Sequence, residues 1–137
     1  MRISNVFGEN LDYGFIANLL HSLRSQEPAV IFKEAEITRD FLSIDDLGVA
    51  IAKLSELDIA EENLNVGSGT GITISEVLEV FSNLGFDFAN SDYVGARANI
   101  KQKVVLDCTK LKSIIEWYPN DFKTGIKKVL KTLNVPT

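Results

Sequence analysis

Apolar positions recur along the chain in two periods, and the period changes where the elements change. Phe15, Ile16, Leu19, Leu20 and Leu23 share one face at the three-to-four spacing of an amphipathic helix. Pro28 closes that helix, because a proline disfavours helical backbone in the residue before it. A second stripe, Leu47, Ala50, Ile51, Leu54 and Leu57, follows Asp45 and Asp46, two acids suited to the positive end of a helix. A third, Ile74, Val77, Leu78, Phe81 and Leu84, opens with Thr73 and Glu76 in the T-x-x-E spacing of a capping box and closes at Gly85. Leu111, Ile114 and Ile115 mark a short helix after Asp107, read as its cap. Ile126, Val129 and Leu130 mark a last helix from about Phe122 to Leu133.

Between the helices lie short β-like runs: Ile3–Phe7, Ala29–Phe32, Phe41–Ile44, Leu64–Val66 and Val104–Leu106, with a weaker run over Phe86–Val94. Alternation of strands and helices predicts an α/β architecture. The length of 137 residues suits a single domain over 1–137, and no internal repeat or flexible linker interrupts it.

Composition narrows the function without naming it. The net charge is −5, and the basic residues are scattered, apart from Lys127-Lys128 on what reads as a solvated helix face. No basic stripe exists for a nucleic acid. No apolar run reaches the roughly 20 residues of a membrane helix, and no signal-peptide pattern opens the chain. The expected compartment is the cytoplasm. The single cysteine, Cys108, excludes an internal disulfide and reads as a packed small hydrophobe.

Candidate chemistry is sparse. Gly67-Ser68-Gly69-Thr70-Gly71 sits between a strand and a helix, where a phosphate loop would sit. Its spacing fits neither the dinucleotide fingerprint nor a P-loop, so it reads first as a tight turn into a helix. His21 lies in the first helix with no second histidine near it, and no Ser/His/Asp trio or metal-ligand spacing is visible; no catalytic or metal residue is assigned. Arg39 and Arg97 could grip a diphosphate by forked, charge-assisted hydrogen bonds. The plain alternative for Arg39 is an ion pair with Asp40, Asp45 or Asp46.

The segments in order resemble a known family. Arg2-Ile-Ser-Asn5-Val-Phe-Gly8 resembles an R-x-x-N-V-Y-G strand and loop. Arg39-Asp-Phe-Leu-Ser-Ile-Asp-Asp46 resembles R-D-F-[VI]-[HY]-V-x-D. Asn65-Val-Gly67-Ser-Gly69, then Thr73-Ile-Ser-Glu76, resembles an N-[VI]-G-S-G loop and its capped helix. Asp107-Cys-Thr-Lys110-Leu, Trp117-Tyr-Pro119 and Phe122-Lys-Thr-Gly125-Ile126 resemble the ending D-x-[ST]-K-A, W-x-P and [FL]-x-x-G-[IL]. These are motifs of the second half of the extended short-chain dehydrogenase/reductases, the NAD(P)-dependent nucleotide-sugar epimerases and dehydratases, and the resemblance covers nearly the whole chain.

The resemblance implies the C-terminal part of a Rossmann-like fold plus the small substrate-binding lobe, with the strands at Ile3–Phe7 and Leu64–Val66 in one sheet. It assigns the nucleotide diphosphate to Asn5, Arg39 and Arg97 and rests the base against Val30-Ile31-Phe32, with Phe32 as a binding residue. The family's G-x-x-G-x-x-G loop and Y-x-x-x-K pair do not occur among the 137 residues: four places after Tyr13, Tyr93 and Tyr118 stand Ala17, Arg97 and Phe122. The expectation is therefore a chain that lacks the cofactor-binding half, binds no NAD(P) by itself and is inactive alone. It would bind a nucleotide-diphosphate sugar weakly and associate as a homo-oligomer or with a chain carrying the other half. The alternatives are a non-catalytic binding module and one subunit of a split enzyme.

Overall fold

The computed structural model describes residues 1–32, 37–58, 63–95 and 102–134. It is α/β, as the periodicity predicts. The elements in chain order are β1 (Arg2–Ile3), β2 (Asn5–Phe7), α1 (Phe15–Ser25), β3 (Val30–Phe32), β4 (Thr38–Ser43), α2 (Ile44–Ser55), β5 (Asn65–Val66), β6 (Gly71–Thr73), α3 (Ile74–Ser82), β7 (Asp92–Val94), β8 (Lys103–Val104), α4 (Thr109–Ile114) and α5 (Phe122–Thr132).

The predicted strand Ile3–Phe7 is broken at Ser4, and its halves serve different neighbours. β1 runs parallel to β5, pairing Ile3 with Val66, as expected of two strands in one sheet. The Ser4 N–H still donates to the Val66 carbonyl at 3.0 Å. One residue on, β2 has crossed to β4, pairing Asn5 with Phe41 in parallel. Hydrophobic alternation does not reveal such a change of partner.

β4 is the centre of the fold. It begins three residues before the predicted run and pairs with β2, with β6 antiparallel and with β8 parallel. β6 was not foreseen: it is three residues long and rises from the glycine-rich loop, and its Thr73 at once caps α3. Successive β4 side chains face opposite ways, and the two cores follow from this. Phe41 joins Phe7, Ile16, Leu19, Phe81 and Ile126 on one side. Leu42 joins Leu47, Val66, Leu111 and Trp117 on the other.

α2, α3 and α5 start at polar caps. Ser43 caps α2, its Oγ accepting from the Asp46 N–H. The Thr73–Glu76 capping box of α3 is complete, and Asp121 caps α5. Asp107 is not the cap of α4: that position is Cys108, and Asp107 instead accepts from the Thr109 N–H at 2.9 Å from one residue further out. The weak run over Phe86–Val94 forms a strand only at its end, as β7, which pairs in parallel with β3. Before that, Phe86 and Phe88 meet Phe81 edge-on, at ring centroids 6.4 and 5.6 Å away.

Candidate functional site

A cleft of about 560 Å³ opens between β2, β3, β4 and the start of α1. The volume is in the range of small-molecule sites, roughly 300–1,000 Å³. Three of the four residues assigned from the sequence line it together: Asn5, Phe32 and Arg39. The fourth, Arg97, lies outside the described residues. Each of the three arrives on a strand. Asn5 opens β2 and is exposed, Phe32 ends β3 and is half-buried, and Arg39 is the second residue of β4.

Arg39 is half-buried, and partial burial pulls its pKa down from the ordinary arginine value. The guanidinium still carries its charge at any ordinary pH. Its Nη1 donates to the Thr38 carbonyl at 2.8 Å and to the Gln102 carbonyl at 3.3 Å. The ion pair weighed for it, with Asp40, Asp45 or Asp46, does not form. A partly desolvated cation thus faces the cleft with carbonyl dipoles as its recorded partners.

The start of α1 adds a second source of positive potential that the sequence reading missed. Gly14, Phe15 and Ile16 line the cleft. The α1 N-cap is Gly14, with φ at 104°, so no side chain caps the first-turn N–H groups, and no acid lies in that turn. The signal available was a glycine directly before an amphipathic stripe with no Ser, Thr or Asp at the junction. Asp12 sits on the same rim, exposed. Tyr13, also on the rim, is 92% exposed, an aromatic ring with little protein against it.

The glycine-rich loop holds an anion, but one that belongs to the chain. Asp40 is 1% exposed. Its Oδ1 accepts from the Ser68 N–H at 2.9 Å and the Ser68 Oγ at 2.6 Å. Its Oδ2 accepts from the Gly69 N–H at 3.1 Å and the Leu106 N–H at 3.3 Å. The loop is the turn that the spacing favoured, and its N–H groups are aimed at a carboxylate on β4. A Cβ on Gly67 would stand 2.5 Å from Asp40 Oδ2, so only glycine leaves room for the carboxylate.

Asp46 plays a comparable part on α2. Its Oδ2 accepts from Ser43 Oγ at 2.6 Å and from the Asn120 N–H at 3.2 Å, and its Oδ1 from Asn120 Nδ2 at 2.7 Å. Its backbone carbonyl takes the Trp117 indole N–H at 3.1 Å. Two acids of the Arg39–Asp46 motif are therefore fasteners, and its arginine is the charged member that lines the cleft.

Cys108 is buried and free, and burial raises its pKa above the usual thiol value. Among the described residues no three His, Cys, Asp or Glu side chains gather as metal ligands would. No described helix is long and apolar enough to cross a membrane.

No protein-family model matches the chain. A Methanocaldococcus jannaschii protein named "Putative UDP-glucose 4-epimerase" is 31% identical over 136 residues, 95% of this chain and 43% of that protein. The solved UDP-glucose 4-epimerase of Thermotoga maritima, a complex with UDP-glucose, superimposes with a TM-score of 0.82 at 25% identity, over 97% of this chain and 44% of that one. MoeE5, solved in complex with UDP-glucose and NAD, gives a TM-score of 0.86 at 21% identity, over 97% and 46%. The chain thus spans less than half the length of the relatives it matches. In sequence and in fold, the chain is similar to a C-terminal part of the extended short-chain dehydrogenase/reductases, the NAD-dependent nucleotide-sugar epimerases and dehydratases.

Proposed function

We propose that the cleft binds the nucleoside-diphosphate part of a nucleotide sugar, and that this chain is the substrate-binding portion of an NAD(P)-dependent epimerase or dehydratase. The observation that carries the reading is Arg39: a half-buried cation, without a carboxylate partner among the described residues, in a cleft it shares with Asn5, Phe32 and the uncapped start of α1. Desolvating a cation is unfavourable unless something anionic answers it, and a diphosphate accepts a guanidinium fork. The helix N-terminus favours negative charge in the same space. Asn5 offers an amide to the phosphate or sugar hydroxyls. Phe32 and Tyr13 offer rings to the base. Arg97, in the resemblance the second arm of the clamp, belongs to the same proposal.

In this reading the chain binds and orients its ligand but does not turn it over. Hydride transfer needs a positioned nicotinamide and a tuned acid/base, and the family's motifs for both are missing from the 137 residues. Calorimetric titration of UDP and dTDP tests the binding. Losing a charged hydrogen bond costs about 1.5–3 kcal/mol, so Arg39→Ala should weaken binding roughly ten- to a hundred-fold. Arg39→Lys should weaken it too, since an ammonium cannot make the fork. Equal binding by the parent and Arg39→Ala would make Arg39 structural. Turnover of a UDP-sugar by the purified chain with NAD would sink the inactivity.

One observation favours association with a second chain, as a homo-oligomer or as one subunit of a split enzyme. Among the described residues β1 pairs on one side only, with β5. Apolar side chains are exposed on β1 and on α2, with Ile3 at 45%, Val49 at 48% and Ile51 at 41%. An open edge with exposed apolar side chains invites pairing. A monomer in light scattering at high concentration would refute this part.

A further inference from the structure

Arg39 reaches the cleft without a side-chain anchor. What steadies it is backbone: the Thr38 carbonyl of its own strand, and the Gln102 carbonyl one residue before β8. The Gln102 carbonyl also accepts the Thr38 N–H at 2.7 Å. One of the two anchors of Arg39 therefore depends on where β8 lies. Yet β8 is two residues long and exposed, too short to fix its own register.

The next residue along β4 supplies the fixing. At Arg39 the strand is flanked by Ile72 of β6 and Val104 of β8. The Asp40 carboxylate, on the opposite face, takes N–H groups from Ser68 and Gly69, which lead into β6, and from Leu106, which follows β8. One buried group thus ties down both strands that flank Arg39. We propose that Asp40 is a positioning residue for Arg39: by holding β6 and β8 in register, it fixes the Gln102 carbonyl, which together with the Thr38 carbonyl of β4 aims the guanidinium into the cleft. The proposal rests on the nucleotide-binding reading for its consequence, and on the geometry alone for its cause.

Two substitutions perturb the carboxylate by different routes. Asp40→Asn keeps the shape but replaces one acceptor oxygen by a donor. In one amide orientation the new donor faces the Gly69 and Leu106 N–H groups, and in the other it faces those of Ser68. Gly67→Ala leaves the charge intact and pushes on Oδ2, 2.5 Å from the added Cβ. Two readouts separate positioning from mere stability: the Arg39 Nε–Hε NMR signal, assigned by its loss in Arg39→Lys, and UDP affinity in a double-mutant cycle with Arg39→Ala.

The expected result is that Asp40→Asn, while folded, shifts or broadens the Arg39 signal and weakens UDP binding about ten-fold, the scale of one charged hydrogen bond. In the Arg39→Ala background it should weaken binding no further. An unmoved Arg39 signal in folded Asp40→Asn, or a loss that simply adds to that of Arg39→Ala, would overturn the proposal. If Asp40→Asn does not fold, Gly67→Ala is read by the same two measurements. If the parent chain binds no UDP, the cleft reading falls, and the NMR comparison still decides the role of Asp40.

Discussion

The same substitution, glycine to alanine, should have opposite effects in two helices of this chain. Gly48 lies inside α2, is exposed, and an added Cβ would meet nothing within 4 Å. Gly125 lies inside α5, is buried, and an added Cβ would stand 2.7 Å from Phe7 Cζ and 3.2 Å from Phe7 Cε2. Both substitutions gain the helix preference of alanine, about 0.8–1 kcal/mol. For Gly48→Ala that gain stands alone, raising the melting temperature by roughly 4 °C in a chain of this size. For Gly125→Ala the Phe7 ring must retreat by about 1 Å to reach ordinary carbon contact. It has little room to do so, being 2% exposed and wedged edge-on against Phe122 with centroids 5.4 Å apart. Overpacking of this kind costs about 1–3 kcal/mol, so the net effect runs from neutral to about 2 kcal/mol destabilising. Urea and thermal melts followed by circular dichroism measure both variants, and the difference between them isolates the clash, because the helix term cancels. If Gly125→Ala stabilises as much as Gly48→Ala, α5 does not pack on β2 as described.

Asp46→Ala should destabilise by about 1–3 kcal/mol, since it strands the buried Ser43 hydroxyl and releases Asn120; the single tryptophan, Trp117, reports it as a red-shifted emission, and unchanged stability would refute the fastener role. Glu76, Asp107 and Asp121 have pKa values lowered by hydrogen bonds from Thr73, Thr109 and Thr124 respectively. Their contributions are full above the ordinary carboxylate range, near pH 4, and are lost as pH falls through the lowered values; Asp121→Asn should therefore flatten the acid limb of a urea-midpoint profile, and an unaltered limb would count against it. Cys108, with its pKa raised by burial, should react with a thiol reagent at pH 8 at least about ten-fold more slowly than in the urea-unfolded chain; equal rates would mean that the α4 region is open.

The helices were legible because their stripes are long and one-sided; α1, α2, α3 and α5 stand where the spacing puts them. Strands of two or three residues carry too little pattern. β6 hides in a glycine-rich loop, and the break at Ser4 hides inside a run that reads as continuous. At the cleft, Asn5, Phe32 and Arg39 were reachable from motif order and are brought together by the fold. The uncapped start of α1 was not, because what matters there is the absence of a capping side chain. The glycine loop was read as a turn into a helix; it leads first into β6, and its partner was invisible. Pairing Ser68 and Gly69 with Asp40 requires the register of β4 against β6, which no local pattern encodes. That the acid directly before an apolar β-run faces inward, however, could have been argued from its period-two spacing from Leu42.

The fasteners on β4 and α2 also set an order of events for a chain emerging from the ribosome. Asp40 waits 28 residues for Ser68 and 66 for Leu106, and Asp46 waits 74 for Asn120. At roughly 5–20 residues per second, the second acid has only its local Ser43 partner for several seconds after its own synthesis. Contacts this distant in sequence slow the closing of a fold. The central strand is thus made well before the residues that complete it, and nascent chains stalled before Asn120 should remain sensitive to protease throughout β4 and α2.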